Sequence, residues 1–332
     1  MKYQILSFCL AFLLSWVLMK LLLPMLTRLK VGQSILQYVT EHNSKQGTPT
    51  MGGIAFIVSF AVLSLVMCGT QDTTVNVTVA VTVAYGMVGF LDDFIKVHYK
   101  HNLGLRPYQK VIVQLAISVA VAMYVWQSPY VGSKLNVPFV NTTVDFGWAI
   151  IPFVIFIYLA MTNGVNLTDG LDGLATTTTL CYLVGVFLVV YSDMQDSLSL
   201  GMADIAERQS HVLVCIAVMG GSLLAFLLFN CFPAKVFMGD VGSLALGAFA
   251  ACIAIFTNNS LLIPILGVMY VVSCLSVIVQ VGYFKLTKGK RVFLMAPYHH
   301  HLQHKGLSET RIVTIYAVIT LLATLVLLYF GG

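Results

Sequence analysis

The sequence contains 332 residues, of which 58% are hydrophobic and only 9% are charged, and its mean hydropathy is +0.90. Soluble globular domains carry about 25% charged residues, so this composition excludes an ordinary soluble domain and predicts a polytopic membrane protein. The seven cysteines lie in or beside apolar runs without C-x-x-C spacing, a pattern that indicates neither a zinc site nor a disulfide framework.

Ten apolar segments are long enough to cross a bilayer as α-helices, which takes about 20 residues each. We therefore predict an all-α membrane protein that forms one domain over residues 1–332. The first segment is longer than a signal-peptide core and lacks a small-residue cleavage site, so it is predicted to be a retained span. The predicted spans are 4–26, 51–69, 74–91, 109–127, 149–163, 174–192, 210–230, 241–257, 260–284 and 311–330.

An even number of spans places both termini on the same side of the membrane. Only three of the 18 lysines and arginines fall on that side, namely Lys2, Lys134 and Arg208. Because basic residues are enriched in cytoplasmic loops, both termini are predicted to be extracytoplasmic. The basic cytoplasmic face is expected to attract an anionic ligand.

The predicted outer connections carry no pattern that indicates chemistry. Residues 129–148 contain short alternating runs between turn residues, which predict a small hairpin outside the membrane. Residues 192–209 contain several acidic residues and predict a solvated loop with an amphipathic piece. We expect both connections to be structural.

The first inner connection ends in KQGTPTMGG, where Lys45 precedes several glycines at the start of the second span. Backbone amides at a glycine-rich helix start, next to a lysine, suit a phosphate or a nucleobase carbonyl. An ordinary Pro-Gly turn beside a lysine of the cytoplasmic face is the simpler interpretation when this stretch is taken alone.

The second inner connection carries FLDDFIKVHYKHNLGLRPYQK, with Asp92 and Asp93 adjacent at the membrane surface. Neighbouring helical residues point about 100° apart, so the two acids are predicted to have separate tasks. Acids near a helix C-terminus oppose the helix dipole, which argues against a merely solvated helix end. The basic residues around them are Lys96, Lys100, Arg106 and Lys110.

The third inner connection reads NGVNLTDGLDGLA and lies between two strongly apolar runs. Asp169 and Asp172 would share one face if the next helix includes them, and could then hold a divalent cation or a hydroxyl-rich ligand. The glycines in this stretch would let the backbone approach a ligand closely. The alternative is a turn in which Thr168 or Asp169 caps the next helix.

The fourth inner connection, NCFPAKVFMGDVG, places Asp240 between two glycines just before the next helix. A carboxylate at a helix N-terminus is positioned to bind a metal or to cap the helix. Phe237 could stack on a planar ligand, although an aromatic anchor at the membrane interface is the commoner explanation of such a residue.

The last inner loop, from Lys285 to Arg311, contains MAPYHHHLQHKG. Its three adjacent histidines lack the i, i+4 spacing of a helical zinc pair. They are better explained as cationic or proton-donating groups that act on a phosphate. Five acids, several basic groups and this histidine cluster therefore converge on one membrane face. Carboxylates that hold Mg²⁺ within a basic rim are what phosphoryl transfer requires, here between a soluble nucleotide and a lipid.

Five motifs, GTPTMGG, FLDD, NLTDGLDGLA, FMGDVGSLALG and APYHHH, resemble in order the signatures of the bacterial phospho-N-acetylmuramoyl-pentapeptide transferases. These enzymes belong to the polyprenyl-phosphate N-acetylhexosamine-1-phosphate transferase superfamily. The resemblance implies Mg²⁺-dependent transfer of phospho-MurNAc-pentapeptide from UDP-MurNAc-pentapeptide to undecaprenyl phosphate, which forms lipid I and releases UMP. It also implies a homodimer in the bacterial plasma (inner) membrane, with a cytoplasmic active site and no nucleic-acid partner.

The resemblance further implies the tasks of individual residues. Asp92 would deprotonate or orient the lipid phosphate, with Asp93 beside it, and Asp240 would bind the metal. His299 would be the catalytic histidine. The neighbouring phosphate or nucleotide contacts would be His300 and His301.

The substrate-binding residues follow from the same resemblance. The uridine pocket would consist of Lys45, Gly170, Leu171, Asp172, Asn230 and Phe237. Within it, Phe237 would stack on the uracil ring. The phosphate and metal region would be lined by Lys110, Asn166 and Asp169.

Three alternatives are weighed against this interpretation. Transferases that attach GlcNAc-1-phosphate to a polyprenyl phosphate share the acidic motifs, and the APYHHH form favours the muramoyl-pentapeptide enzymes over them. A membrane transporter should carry its acids at mid-bilayer depth, whereas these acids are predicted at loop edges. A structural scaffold needs no convergence of acids and histidines.

Overall fold

The computed structural model describes residues 1–28, 47–98, 104–140 and 142–331. Within these residues the chain is almost entirely helical, because backbone groups inside a bilayer must be satisfied within the same segment. The α-helices in chain order are α1 Lys2–Arg28, α2 Gly53–Cys68, α3 Thr73–His98, α4 Pro107–Gln127, α5 Ile150–Thr168, α6 Leu174–Ser199, α7 Ala203–Asn230, α8 Gly239–Phe256, α9 Ile263–Leu266, α10 Val268–Leu286, α11 Tyr298–His304 and α12 Glu309–Gly331.

The predicted all-α membrane architecture is confirmed. Among the described residues, nine helices are long and apolar enough to cross a membrane, and α2 is a shorter apolar helix of 16 residues. The ninth predicted span is interrupted at Gly267, which separates the short α9 from α10. Residues 192–209, predicted to be a solvated loop with an amphipathic piece, are mostly exposed but largely helical, because α6 continues to Ser199 and α7 begins at Ala203. Buried Met194 shows that α6 keeps an inward face through this acidic stretch.

The helix ends gather at two opposite ends of the bundle. At one end, the hydroxyl of Tyr3 in α1 donates to the carbonyl of Met67 in α2, and Asn259 Nδ2 donates to Asp193 Oδ2 at 2.7 Å. The other end, called the site end, contains the last turns of α3, α5 and α7, the first turns of α4, α6, α8 and α12, and the short α11. All predicted acidic and histidine motifs that the structure describes lie at the site end.

The predicted hairpin is present between α4 and α5. Its strands, β1 (Lys134–Asn136) and β2 (Thr143–Asp145), pair antiparallel with Leu135 opposite Val144. The amide of Asn136 donates to the carbonyl of Asn258 at 3.0 Å, which attaches the hairpin to the segment after α8. The hairpin therefore lies at the end opposite the site end, away from the acids.

Helix α8 lies at the centre of the bundle. Every residue in it is buried except Asp240, near its first turn. Its sequence, GDVGSLALGAFAACIAIF, is rich in small residues, which let neighbouring helices approach closely inside a membrane. Helices α3, α5 and α2 all pack against it.

Two glycine contacts set how closely α2 and α3 approach α8. A Cβ atom at Gly89 in α3 would overlap the backbone of Asp240 and Val241, and one at Gly53 in α2 would overlap the backbone of Gly242. Only glycine permits such backbone-to-backbone contact. The contact at Gly89 fixes the first turn of α8 against α3, one turn before Asp92 and Asp93.

Replacing Gly89 with alanine is expected to destabilise the protein by about 1–3 kcal/mol, because the added methyl group overpacks a backbone contact. Gly282→Ala in α10 is the matched control, since nothing lies within 4 Å of the added Cβ. Thermal unfolding in detergent should give a lower melting temperature for Gly89→Ala and no decrease for Gly282→Ala. Equal melting temperatures for the two variants would contradict the inferred contact.

Candidate active site

Three carboxylates meet where α3 crosses the start of α8. Asp92 and Asp93 lie in the last two turns of α3, and Asp240 is the second residue of α8. One oxygen atom from each acid lies within 4.8 Å of the other two. Because α3 continues to His98, beyond the predicted end at residue 91, both acids lie inside the helix and not at its end.

Asp92 and Asp93 have different hydrogen-bond partners, as their different directions on the helix predict. Asp92 Oδ1 accepts a hydrogen bond from the amide of Leu105 at 2.7 Å, just before α4. Asp93 Oδ2 accepts one from the amide of Val241 at 3.3 Å, in the first turn of α8. Each acid thus ties α3 to a different neighbouring segment.

Two lysines neutralise much of this negative charge. Lys96 Nζ lies 2.6 Å from Asp92 Oδ2, 2.9 Å from Asp240 Oδ2 and 3.7 Å from Asp93 Oδ1. Lys110 Nζ, from α4, lies 2.8 Å from Asp240 Oδ2 and 4.0 Å from Asp92 Oδ2. Lys110, predicted for the phosphate region, is therefore brought directly into the acidic cluster.

Helix α5 contributes Asn166 to the same cluster. Asn166 Nδ2 donates to Asp240 Oδ1 at 2.7 Å and lies 2.8 Å from Ser243 Oγ. Asp169 follows as the C-cap residue of α5. Burial raises the pKa of the Asp169 carboxyl well above its ordinary value, and the nearby carboxylates of Asp240, Asp93 and Asp172 raise that pKa further. Asp169 is thus suited to carry a proton beside the charged cluster.

The chemistry of the acidic cluster suits a divalent cation. All three side chains offer carboxylate oxygens, which are the ligands that Mg²⁺ and Ca²⁺ prefer. Asp93 is almost completely buried, yet its Oδ1 accepts no hydrogen bond from the described residues. A buried carboxylate oxygen of this kind requires a cationic partner, which in this structure is the Lys96 ammonium at 3.7 Å.

Asp172 and Asn230 hold the connection between α7 and α8. Asp172 Oδ2 accepts a hydrogen bond from the amide of Ala234 at 2.9 Å. Asn230 Nδ2 donates to the carbonyl of Val236 at 3.0 Å, and Asn230 Oδ1 accepts from Thr176 Oγ1 at 2.7 Å. Both predicted uridine contacts thus shape this loop from inside the protein.

The predicted shared helical face of Asp169 and Asp172 is not observed. Helix α6 begins at Leu174, and its N-cap is Gly173 with a φ of 72°, a left-handed conformation that favours glycine. Both acids therefore lie in the turn between α5 and α6. The alternative, in which Thr168 or Asp169 caps α6, is also not observed, because Thr168 ends α5.

Two more predicted uridine contacts, Phe237 and Leu171, lie in different surroundings. Phe237 is half-buried, and its amide donates to the carbonyl of Pro49 at 2.8 Å, which joins its loop to the segment before α2. Leu171 is buried in a small apolar cluster with Ile312 and Tyr316. Lys45 lies outside the described residues.

His299 and His300 lie at the start of α11, next to the turn that carries Asp169. His299 is fully buried, and a Cβ atom at Gly170 would overlap its imidazole ring. The absence of a side chain at Gly170 therefore lets His299 approach that turn. The rings of His299 and His300 are 4.3 Å apart, and His300 Nδ1 lies 3.1 Å from Gln303 Oε1.

His301 is engaged within its own loop. Its Nδ1 accepts a hydrogen bond from the amide of Leu294 at 3.1 Å, and its ring packs on Phe293 and Tyr298. Burial lowers the pKa of His301, and the positive charges of Lys305 and His304 lower it further. A lowered pKa favours the neutral imidazole, in which Nδ1 can accept this hydrogen bond. The described contacts do not bring His301 to the acids.

Ser243 and Glu309 were not singled out from the sequence, and Lys96 was predicted only as one of the basic residues around Asp92 and Asp93. Lys96 follows Asp92 by four residues and Asp93 by three, a helical spacing that could have predicted its contacts. Ser243 is likewise one turn after Asp240. Glu309 Oε2 accepts a hydrogen bond from the amide of Asp172 at 3.2 Å, and no local sequence pattern links these distant positions.

Comparison with known proteins places the chain in a family. The family model described as glycosyl transferase family 4 matches residues 75–258, and phospho-N-acetylmuramoyl-pentapeptide-transferase signature 1 matches residues 45–57. The chain is 41% identical to a phospho-N-acetylmuramoyl-pentapeptide-transferase of Clostridium novyi (strain NT) over 98% of this chain and 96% of that protein.

Further relatives bear the same name. The identity is 43% with the protein of Clostridium perfringens (strain 13 / Type A), over 95% of each chain. It is 42% with that of Clostridioides difficile (strain 630), over 93% of this chain and 92% of the relative. These matches cover nearly the whole of each chain, including every motif that forms the acidic cluster. The chain therefore belongs to the phospho-N-acetylmuramoyl-pentapeptide-transferase family.

Proposed function

We propose that this protein transfers phospho-MurNAc-pentapeptide from UDP-MurNAc-pentapeptide to undecaprenyl phosphate, forming lipid I and releasing UMP. The observation that carries the proposal is the cluster of three carboxylates and two lysines at the site end of a membrane bundle. Such a cluster can bind phosphates and a divalent cation together. Membership of the transferase family supports this substrate pair, and we propose that residues 1–332 act as one integral membrane transferase domain.

The divalent cation of this site is proposed to be Mg²⁺, held by Asp240 with Asp92 and Asp93. When bound, Mg²⁺ neutralises phosphate charge and polarises the phosphoryl group. Asn166 donates a hydrogen bond to Oδ1 of Asp240, and Oδ2 of Asp240 is the oxygen that binds cations. Lys110, which now pairs with Asp240, is in a position to bind a phosphate oxygen of the substrate instead.

The proposed chemical step is a direct displacement. A phosphate oxygen of undecaprenyl phosphate attacks the β-phosphorus of the nucleotide, forming the new P–O bond. The bond from the β-phosphorus to the bridging oxygen breaks, and its electron pair leaves with UMP. Asp92 takes the proton of the lipid phosphate, or orients that phosphate, with Asp93 beside it. His299, next to the Asp169 turn, is the proposed catalytic histidine.

The nucleotide is proposed to lie between the α5–α6 turn and the α7–α8 loop. Asp169 and Asn166 would line its phosphates near the cation, and His300 and His301 would contact phosphate or nucleotide. The contacts of His301 with Leu294 and Phe293 mean that it would have to change partners to do so. The proposed uridine contacts are Lys45, Gly170, Leu171, Asp172, Asn230 and Phe237.

The proposed location is the bacterial plasma (inner) membrane, with the site end in the cytoplasm and both termini outside. The distribution of lysines and arginines supports this orientation. The basic face predicted for the cytoplasm is also the face suited to an anionic nucleotide, so the active site is proposed to open there. A homodimer is part of the same proposal.

Transfer of GlcNAc-1-phosphate is the second candidate function, because it needs the same metal and phosphate chemistry. The signature match at residues 45–57 favours the muramoyl-pentapeptide substrate. The discriminating experiment incubates the purified protein with undecaprenyl phosphate, Mg²⁺ and either UDP-MurNAc-pentapeptide or UDP-GlcNAc. Lipid I and UMP should form with the first nucleotide only, and product from UDP-GlcNAc alone would reverse the assignment.

Asp240→Asn is expected to lower turnover by at least about 10²-fold, or about 2.7 kcal/mol of activation free energy, because the amide cannot replace a charged metal ligand. UMP release measures turnover, and thermal unfolding confirms that the variant is folded. Asp145→Asn, in the outer hairpin, is the control and should keep wild-type turnover. A folded Asp240→Asn protein with near-normal turnover would exclude Asp240 as the metal ligand.

Phe237→Ala is expected to weaken uridine-nucleotide binding by about 1–3 kcal/mol, the range for stacking of a base on an aromatic ring. Turnover at saturating nucleotide should change less, because stacking holds the substrate and transition state alike. Phe232→Ala is the control, since Phe232 is 52% exposed in the same loop. Calorimetric titration with UDP distinguishes the two, and unchanged affinity in Phe237→Ala would leave Phe237 as an interfacial anchor.

Direct displacement also predicts that protein freed of lipid cannot release UMP from UDP-MurNAc-pentapeptide. A covalent route would need an aspartate to attack the nucleotide first, which gives one UMP for each active site. Rapid quenching of rigorously delipidated protein should therefore show no UMP burst and no exchange of labelled UMP into the nucleotide. Either signal, abolished by Asp92→Asn, would favour a phospho-enzyme instead.

A further inference from the structure

Lys96 occupies the centre of the acidic cluster. Its Nζ contacts all three carboxylates, at 2.6 Å from Asp92, 2.9 Å from Asp240 and 3.7 Å from Asp93. Lys110 approaches only Asp240 and Asp92, from the side of α4. The three acids would repel one another strongly without a cation between them, and Lys96 supplies that cation.

A divalent cation bound by the same acids would compete with Lys96 for their negative charge. Mg²⁺ binds carboxylate oxygens at about 2.0–2.1 Å. Lys96 Nζ already lies 2.6 Å and 2.9 Å from the Oδ2 atoms of Asp92 and Asp240. A cation bound through these oxygens would repel the nearby ammonium and so weaken the hold of Lys96 on both carboxylates.

Lys96 is able to leave. Its side chain is 27% exposed, against 17% for Lys110, and it has four flexible methylene groups. The formal charge of the three acids and two lysines is −1, so binding a divalent cation makes the cluster positive. A positive cluster with a mobile ammonium at its edge attracts phosphate.

We propose that Lys96 is the displaceable counter-ion of the three carboxylates. It holds them together before a divalent cation binds, gives up this position when the cation arrives, and then binds a phosphate oxygen of a substrate. This inference rests on the proposed function, because it concerns the same cation and the same phosphates. It assigns to Lys96 both the organisation of the empty site and the binding of phosphate in the loaded one.

Competition between Lys96 and the cation is measured directly by Mn²⁺ binding to the purified protein, using electron paramagnetic resonance of the free ion. Lys96→Met keeps the side-chain stem and removes the charge, so it should tighten Mn²⁺ binding by at least about tenfold. Lys96→Arg keeps the charge and should stay within about threefold of wild type. Lys285→Met is the matched control, because Lys285 is exposed at the same end of the bundle, and its affinity should equal that of wild type.

The outcomes separate the possibilities. Unchanged Mn²⁺ affinity in a folded Lys96→Met protein would show that Lys96 does not compete with the cation. Loss of Mn²⁺ binding would show that Lys96 is required to organise the acids even in the loaded site. Either result would overturn the proposal.

A second measurement uses the unmodified protein and so does not depend on folding of a variant. Lysines are acetylated briefly with an isotope-coded reagent, and labelling at each position is read by mass spectrometry. Saturating Mg²⁺ should increase labelling of Lys96 by at least about threefold relative to NaCl of equal ionic strength, because the ammonium leaves its shielded position. Labelling of Lys285 should not change. Equal labelling of Lys96 with and without Mg²⁺ would contradict the displacement.

Steady-state kinetics of the Lys96→Met variant identify which phosphate Lys96 binds. A higher KM for undecaprenyl phosphate alone in Lys96→Met assigns the ammonium to the lipid, and a higher KM for the nucleotide alone assigns it to the diphosphate. No change in either KM would overturn this part of the proposal. If Lys96→Met binds Mn²⁺ more tightly than wild type but the wild-type protein makes no lipid I, the proposed function is refuted. If the wild-type protein makes lipid I but Lys96→Met does not change Mn²⁺ affinity, only the inference about Lys96 is refuted.

Discussion

The close contact between α3 and the first turn of α8 is the constraint on which the site depends. Gly89 lets the backbone of Asp240 approach α3 so closely that no side chain fits between them. This contact brings a carboxylate from one helix against two from the other, although Asp93 and Asp240 are 147 positions apart in the chain. The small residues of α8 make the approach possible, because inside a membrane helices associate by close packing and not by hydrophobic burial from water.

Placing three carboxylates this close together has an electrostatic cost, and the neighbouring elements offset it. Lys96 comes from α3 itself, Lys110 from α4 and Asn166 from α5, and each binds at least one oxygen of Asp240. Four helices are thus joined through one carboxylate. A paired buried charge contributes little net stability, but removing one partner leaves the others uncompensated. The cluster therefore adds little to the stability of the fold, which agrees with the phosphate and cation site proposed for it.

The polar residues around the cluster fall into two groups by what they contact. Asp172 and Asn230 bind backbone groups of the α7–α8 loop, and they keep Phe237 in place between that loop and the segment before α2. His299 lies against Gly170, and the lack of a side chain there leaves room for α11 to contact the turn that carries Asp169. A polar motif in a membrane protein can thus act on a substrate directly, through its side chains, or indirectly, by fixing the loop that carries the contact.

The sequence by itself determined the helical membrane architecture, the approximate position of every span and the face on which the acids gather, because apolar length, turn residues and charge act locally along the chain. It did not determine that α6 and α7 continue through 192–209, or that Asp169 and Asp172 lie in a turn, since packing decides where a helix ends. The tertiary structure alone decided that Lys96 lies among all three acids, that Glu309 binds the Asp172 amide and that His301 faces its own loop. The contacts of Lys96 with Asp240 and of Glu309 with Asp172 join segments that are far apart in the chain. Their geometry depends on how closely backbones pack, which glycine contacts such as that of Gly89 set and local sequence patterns do not record.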